Sequence, residues 1–339
     1  MLGSLLEIRG LKTYFVTKQT EVRAVDGIDL DVDSGQIVCI VGESGCGKSM
    51  ASLSIMRLVP QPRGKIVSGE ITLTGRNLLK LSENEMTDVR GNEMSMIFQE
   101  PMTALNPVLT IGRQITEVLI RHRGMTKRQA LAKSIDMLRF VGVPRASEIV
   151  KEYPHQLSGG LRQRVMIAMA MVCEPRLLIA DEPTTALDVT IQAQVLDLMK
   201  KMRDDFHTAI ILITHDLGVV ADMADHVVVM YAGQVVESVN ADDLFETPLH
   251  PYTQALMDSM PSLAEEQETL HAITGMVPSA ASFPQGCRFA ERCPLAVPSC
   301  REEMPALREL RPGHLVRCDV VEIESRIEGE RRSSTREEV

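Results

Sequence analysis

Between Gly42 and Ser49 the chain reads Gly-Glu-Ser-Gly-Cys-Gly-Lys-Ser, three spaced glycines followed at once by a lysine and a hydroxyl. Glycines so placed let successive backbone N–H groups curl around phosphate oxygens, and a helix N-terminus behind them adds a favourable dipole. Lys48 is then expected to reach the β- and γ-phosphates, and the Ser49 hydroxyl to ligate Mg²⁺. The bland alternative is a glycine turn between strand and helix. The apolar run Ile37–Val41 before the motif and a helical segment from about Lys48 to Leu58 after it supply the context that phosphate binding needs. Gly42, Ser44, Gly45, Cys46, Gly47, Lys48 and Ser49 are therefore the expected nucleotide cradle.

A second group of acids and bases completes a hydrolytic set. Leu177-Leu178-Ile179-Ala180 runs into Asp181-Glu182. Asp181 suits Mg²⁺ coordination, and Glu182 could draw a proton from an attacking water. Strands often end in acids, so the pair gains weight only beside the phosphate loop. After Thr214, His215 stands where it could touch a γ-phosphate, although a histidine there is more often a packing or capping residue. Leu157-Ser158-Gly159-Gly160-Leu161-Arg162-Gln163-Arg164 forms a second anion-binding helix start. One nucleotide does not need two such sites in one chain. The economical reading is that this loop closes on a γ-phosphate held by another subunit.

These residues require parallel strands that end together. Ile37–Val41, Leu177–Ala180 and Ala209–Ile213 are continuous apolar runs, each followed by polar residues, as where strands end at an active edge. Glu70–Leu73 reads as a further strand. Ile111–Arg121 and Lys127–Phe140 carry helical spacing, punctuated by Pro101, Pro107, Pro144 and Pro154. Beyond about residue 240 the pattern loosens, and from Glu322 to Val339 nearly every residue is charged or small, so the tail is expected to be disordered.

Bulk properties narrow the setting. The 339 residues allow about two or three domains. A formal net charge of −10 gives no global electrostatic case for nucleic acid or an anionic membrane. Met1–Lys12 holds only a short apolar run before its charges and is not expected to act as a signal peptide. No apolar run approaches the roughly eighteen residues of a membrane span. A cytosolic chain that can still dock onto a membrane protein is expected, and a reducing compartment argues against a disulfide framework.

Taken together, the motifs resemble those of an ABC-transporter ATPase. Ser158-Gly159-Gly160 matches the signature, Gln99 after Met94–Phe98 the Q-loop, Asp188 the D-loop and His215 the switch histidine, all in order between residue 5 and about 240. The resemblance implies an α/β fold: a P-loop NTPase core over 1–240, with an antiparallel β subdomain and a helical signature subdomain over about 100–165. It implies that Gln99 contacts Mg²⁺ and water and relays nucleotide state, and that Glu182, His215 and Gln99 are the catalytic residues. Ser158, Gly159, Gly160, Gln163 and Asp188 join the nucleotide contacts. Phe15 is expected to stack on adenine, with Tyr14 as the alternative. Leu161 departs from the glutamine many relatives carry. A soluble ABC protein of DNA repair or translation would carry a long coiled-coil insertion or two cassettes, and this sequence has neither.

Phe98–Pro107 and Thr247–Leu256, with its His-Pro-Tyr, closely resemble dipeptide and oligopeptide importer ATPases; nickel, opine and glycoside importers share the cassette and the extension. The resemblance implies a peripheral subunit on the cytoplasmic face of the cell (inner) membrane. Its implied partners are two permeases, a second related ATPase and an extracytoplasmic binding protein. Within a small C-terminal extension over 241–321, Cys287, Cys293, Cys300 and Cys318 follow a C-x5-C-x6-C-x17-C spacing. Thiolates suit zinc or iron–sulfur, and unligated buried thiols are the bland alternative. Branch members with this cysteine set are associated with a [4Fe–4S] cluster. Cys39, Cys46 and Cys173 read as packing residues.

Overall fold

The computed structural model describes residues 4–18, 20–99, 104–185, 187–259 and 273–321. The tail expected to be disordered, 322–339, and the stretch 100–103 lie outside these. In chain order the first six strands are β1 (Leu6–Val16), β2 (Glu21–Val32), β3 (Ile37–Val41), β4 (Gly64–Leu73), β5 (Arg76–Asn77) and β6 (Met94–Ile97). The others are β7 (Leu177–Asp181), β8 (Ala209–Ile213), β9 (His226–Tyr231), β10 (Gln234–Asn240), β11 (Arg308–Arg311) and β12 (His314–Val316).

One sheet is antiparallel, in the order β2-β1-β4-β5, and the other has the order β11-β12-β10-β9-β3-β8-β7-β6. Within the larger sheet β9, β3, β8, β7 and β6 run parallel. Their continuous apolar runs follow from burial on both faces. Ile37, Cys39 and Val41 pack into one core cluster, while Val38 and Ile40 of the same strand pack into the other. The carboxyl ends of β3, β8, β7 and β6 therefore lie side by side and deliver the phosphate loop, His215, Asp181-Glu182 and Gln99 to one edge.

The helix behind the phosphate loop runs only from Lys48 to Ile55, shorter than the sequence pattern implies, because Arg57 turns into left-handed backbone at φ 52°. Helices Ile111–Arg123, Lys127–Phe140 and Gly159–Met171 form the helical region. Ile111, Ile115 and Leu119 recur at four-residue spacing and are fully buried, which is the stripe that drives this packing. Thr126 and Gln129 close a reciprocal capping box at the start of the second of these helices.

The extension adds strands to the cassette's own sheet: β12 pairs with β10 through Glu237↔Val316 and Ser238↔Leu315, and β11 pairs with β12. Glu237, fully buried on β10, organises this junction. Its carboxylate accepts from the Leu249 and His250 backbone N–H groups at 2.7 and 3.0 Å and from His314 Nε2 at 2.6 Å. These donors hold its pKa below the usual carboxylate range against the opposing effect of burial. His250 Nδ1 accepts from the Tyr252 N–H at 3.0 Å and so caps the helix Pro251–Asp258.

Burial pushes the His250 imidazole down to about 4, although Glu237 opposes the shift; Arg317 is the other charged group facing it. The unfolded chain takes up this proton near pH 6.5, whereas the folded chain does not until about pH 4. Stability is therefore complete above pH 6.5 and falls as pH drops from there, by about 1.4 kcal/mol per unit. Melts at pH 7.5 and 5.5 check this. Asparagine at position 250 keeps a capping acceptor but does not titrate, and His250→Asn is expected to lose about 1 kcal/mol less than wild type over that interval. Parallel losses would remove His250 as the cause.

Candidate active site

The phosphate loop is held by its own atoms. Lys48, 5% exposed, donates from Nζ to the Gly42 and Glu43 carbonyls at 2.7 and 3.0 Å. An arriving phosphate can replace those carbonyls as the ammonium's partner. Gly47 sits at φ 107°, and a Cβ there would lie 2.3 Å from the Ala24 carbonyl oxygen, so only glycine fits. Gly42 and Cys46 are buried, whereas Ser44, Gly45 and Ser49 are exposed. Ser49 Oγ donates to Asp181 Oδ1 at 3.0 Å. Burial, then the charge of Glu182, raises the Asp181 pKa against the Ser49 hydrogen bond and Lys48.

Glu182 occupies left-handed backbone at φ 46°, a strained position for a residue with a Cβ, and its N–H donates to the Ile213 carbonyl at 3.0 Å. This turn at the end of β7 gathers the polar groups around one carboxylate. Gln99 Nε2 and Thr185 Oγ1 each donate to Glu182 Oε2 at 2.9 Å, and His215 Nδ1 lies 3.6 Å from Oε1. The His215 side chain is 63% exposed, so it is free to turn toward a ligand. A groove of about 340 Å³ joins these parts, lined by Phe15, Ser44, Gly45, Lys48, Gln99 and Glu182 among others. Phe15 is on its wall, while the hydroxyl of the alternative aromatic, Tyr14, donates to Asp26.

The signature residues do not line that groove. Ser158 caps the helix Gly159–Met171, its Oγ accepting from the Leu161 N–H at 3.4 Å. Ser158 and Gly159 are exposed, and a Cβ at Gly159 would meet nothing within 4 Å. Two expected nucleotide contacts have other work within this chain. Gln163 is 1% exposed and donates to the Pro183 carbonyl, tying the signature helix to the chain just past Glu182. In this single chain its amide is enclosed by its own subunit. The Asp188 carboxylate accepts from the Ile191 N–H at 3.0 Å and caps the helix Val189–Phe206.

A family profile described as ABC transporter matches residues 25–185, and one described as the C-terminal region of oligopeptide/dipeptide transporters matches residues 236–300. The oligopeptide transport ATP-binding protein AppD of Bacillus subtilis (strain 168) is 56% identical over 323 residues, spanning 95% of this chain and 98% of its own. The chain belongs to the oligopeptide/dipeptide branch of the ABC-transporter ATPases. The dipeptide transport ATP-binding protein DppD of the same organism is 48% identical over 317 residues, spanning 94% of this chain and 95% of its own. Among solved structures, the dimeric post-hydrolysis state of the ATP-binding cassette MJ0796 bound to ADP and Pi matches with a TM-score of 0.62. It is 25% identical, covering 70% of this chain and 98% of that one.

In this ABC ATPase the extension reaches the phosphate loop, which the sequence did not reveal. The Glu43 backbone N–H donates to Tyr252 Oη at 2.8 Å. Both Glu43 carboxylate oxygens accept from Arg292, at 2.9 and 3.0 Å. Ala280 lines the nucleotide groove, and its carbonyl accepts from the Arg23 N–H at 2.9 Å. Neither Arg292 nor Glu43 carries a local signal of this contact in the sequence.

Cys287, Cys293, Cys300 and Cys318 are unpaired and part-buried. Burial pushes Cys287 up to about 11, and Cys318, Cys300 and Cys293 all add to the shift, so the fold brings the four thiols into one neighbourhood. Gly286 makes this possible. A Cβ there would lie 2.3 Å from the Cys300 carbonyl oxygen, which instead accepts from the Cys287 N–H at 2.7 Å. The side chains are not drawn onto a single point: among the described residues no three His, Cys, Asp or Glu side chains are placed to hold a metal ion. Cys39, Cys46 and Cys173 are buried elsewhere.

Proposed function

We propose that this ATPase drives peptide import from the cytoplasmic face of the cell membrane, paired with a second, related ATPase and bound to two permease subunits. The single observation that carries the reading is the division of the site. The groove holds the phosphate loop, Gln99 and Glu182, while the signature Ser158-Gly159-Gly160, its first two residues exposed, lies outside it. ATP between one subunit's loop and the partner's signature would be complete only on closure, so its tighter binding to the closed pair biases the permeases. Among the described residues no helix is long and apolar enough to cross a membrane. Leu58 and Phe98, both more than a third exposed, line an apolar groove of about 270 Å³ next to Gln99, which suits a permease contact that senses the site.

Hydrolysis follows from the geometry. The water oxygen attacks the γ-phosphorus in line, Glu182 takes the water proton, and the bond to ADP breaks. Gln99 and Thr185 hold the carboxylate, while Lys48 and His215 face the charge that develops on the phosphoryl oxygens. A hydroxyl beside a carboxylate, Ser49 with Asp181, is an oxygen donor pair of the kind Mg²⁺ takes, with Gln99 at the same edge. When bound, the ion neutralises β- and γ-phosphate charge.

The same proposal gives the four tail thiols a [4Fe–4S] cluster. What supports it is the chemistry of the donors: four free, part-buried thiols in one neighbourhood are soft ligands of the kind such a cluster takes. Its chemistry would be a cross-link between 287–300 and Cys318, with one-electron redox capacity.

The functional reading is tested by reconstituting the chain with its permeases, partner ATPase and binding protein in vesicles. Peptide added with the binding protein should stimulate phosphate release and enter the vesicles. Stimulation by nickel, an opine or a glycoside, with none by peptides, would overturn the cargo.

A further inference from the structure

Glu43 is gripped at three points. Its carboxylate takes a two-pronged ion pair from Arg292, its N–H donates to Tyr252, and its carbonyl accepts from Lys48. The Arg292 guanidinium is 6% exposed and fully engaged. Nε donates to the Thr274 carbonyl at 2.9 Å, one terminal nitrogen to Tyr231 Oη at 3.2 Å, and the other to the Ile273 carbonyl at 3.3 Å. A planar fork fixed on all sides cannot follow a moving carboxylate, so it anchors one. Lys48 must leave the Glu43 carbonyl to reach phosphate. If Glu43 moved with it, the N–H groups of the loop would lose their curl.

We propose that Arg292 is a positioning residue for ATP. Through Glu43 it holds the phosphate loop in its phosphate-accepting shape, so nucleotide affinity in this ATPase depends on the C-terminal extension. The inference rests on ATP binding at the phosphate loop and needs no metal at the neighbouring cysteines. Two variants cut the contact from opposite ends. Arg292→Gln removes the fork, and Glu43→Gln removes only the charge on a part-exposed loop residue, leaving Arg292 its three other partners.

Binding of a fluorescent ATP analogue, and KM and kcat for ATP in the assembled transporter, are measured for wild type, both variants, their double variant and Arg292→Lys. Each glutamine variant is expected to raise the dissociation constant and KM about tenfold with kcat changed less than about twofold. The double variant is expected to be no worse than either single one, and lysine to restore part of the loss. A merely structural Arg292 would lower the melting temperature and leave KM in place, and that result overturns the proposal. So do additive effects, or a loss confined to Arg292→Gln with Glu43→Gln normal. Absence of ATP binding in wild type would instead reject the site itself.

Discussion

Glutamine in place of Glu182 will lower ATP hydrolysis in the assembled transporter about a thousandfold while ATP still binds. Glutamine keeps the length and shape of the side chain, and its carbonyl oxygen can still accept from Gln99 Nε2 and Thr185 Oγ1, both 2.9 Å from the native carboxylate. What is lost is a basic oxygen able to take the proton of the attacking water. The phosphate loop, Ser49 and Asp181 are untouched, so affinity should remain within about twofold of wild type. Steady-state phosphate release and equilibrium binding of a fluorescent ATP analogue make the comparison. Hydrolysis within about tenfold of wild type would assign the proton to another group. Binding lost together with turnover would mean that Glu182 shapes the loop rather than the chemistry.

On the proposed cluster, serine at Cys287 or at Cys318 is expected to abolish the iron and the brown visible absorbance that the cluster would give anaerobically purified protein. The two positions probe different parts of the same site: Cys287 shares the 287–300 segment with two other thiols, whereas Cys318 follows β12. The expected content is about four irons and four sulfides per wild-type chain, falling below about one in either variant. One zinc per chain in colourless protein would replace the cluster with a single ion held by the same thiols. A metal-free wild-type preparation would leave the cysteines as packing residues.

Much of the candidate site was legible because its parts are short runs whose residue types the chemistry dictates. Gly42–Ser49 needs no distant information to be read as a phosphate cradle, nor do the fully buried strands that run into Asp181 and Thr214. Long-range contacts left no such trace. Arg292 and Glu43 are 249 positions apart, and neither residue type in its own neighbourhood announces the other. Gln163 was read by its place beside the signature, and its hydrogen bond to the Pro183 carbonyl left no trace there either. His-Pro-Tyr named the branch without disclosing its mechanics, a capping histidine and a tyrosine hydroxyl reaching the phosphate loop. The strand β11 was illegible for a different reason: Arg-Glu-Leu-Arg has no apolar alternation, because only one of its four residues is even part-buried.

That short, charged strand has a consequence for how the ATPase keeps company. With β12 and β11 absent, β10 would offer a row of unpaired backbone donors and acceptors along a strand whose residues are nearly all buried, an open template for another chain. Instead the sheet finishes on four residues, three of them charged and exposed, where strand addition stops. The extension thus closes the sheet on an edge that resists edge-to-edge aggregation.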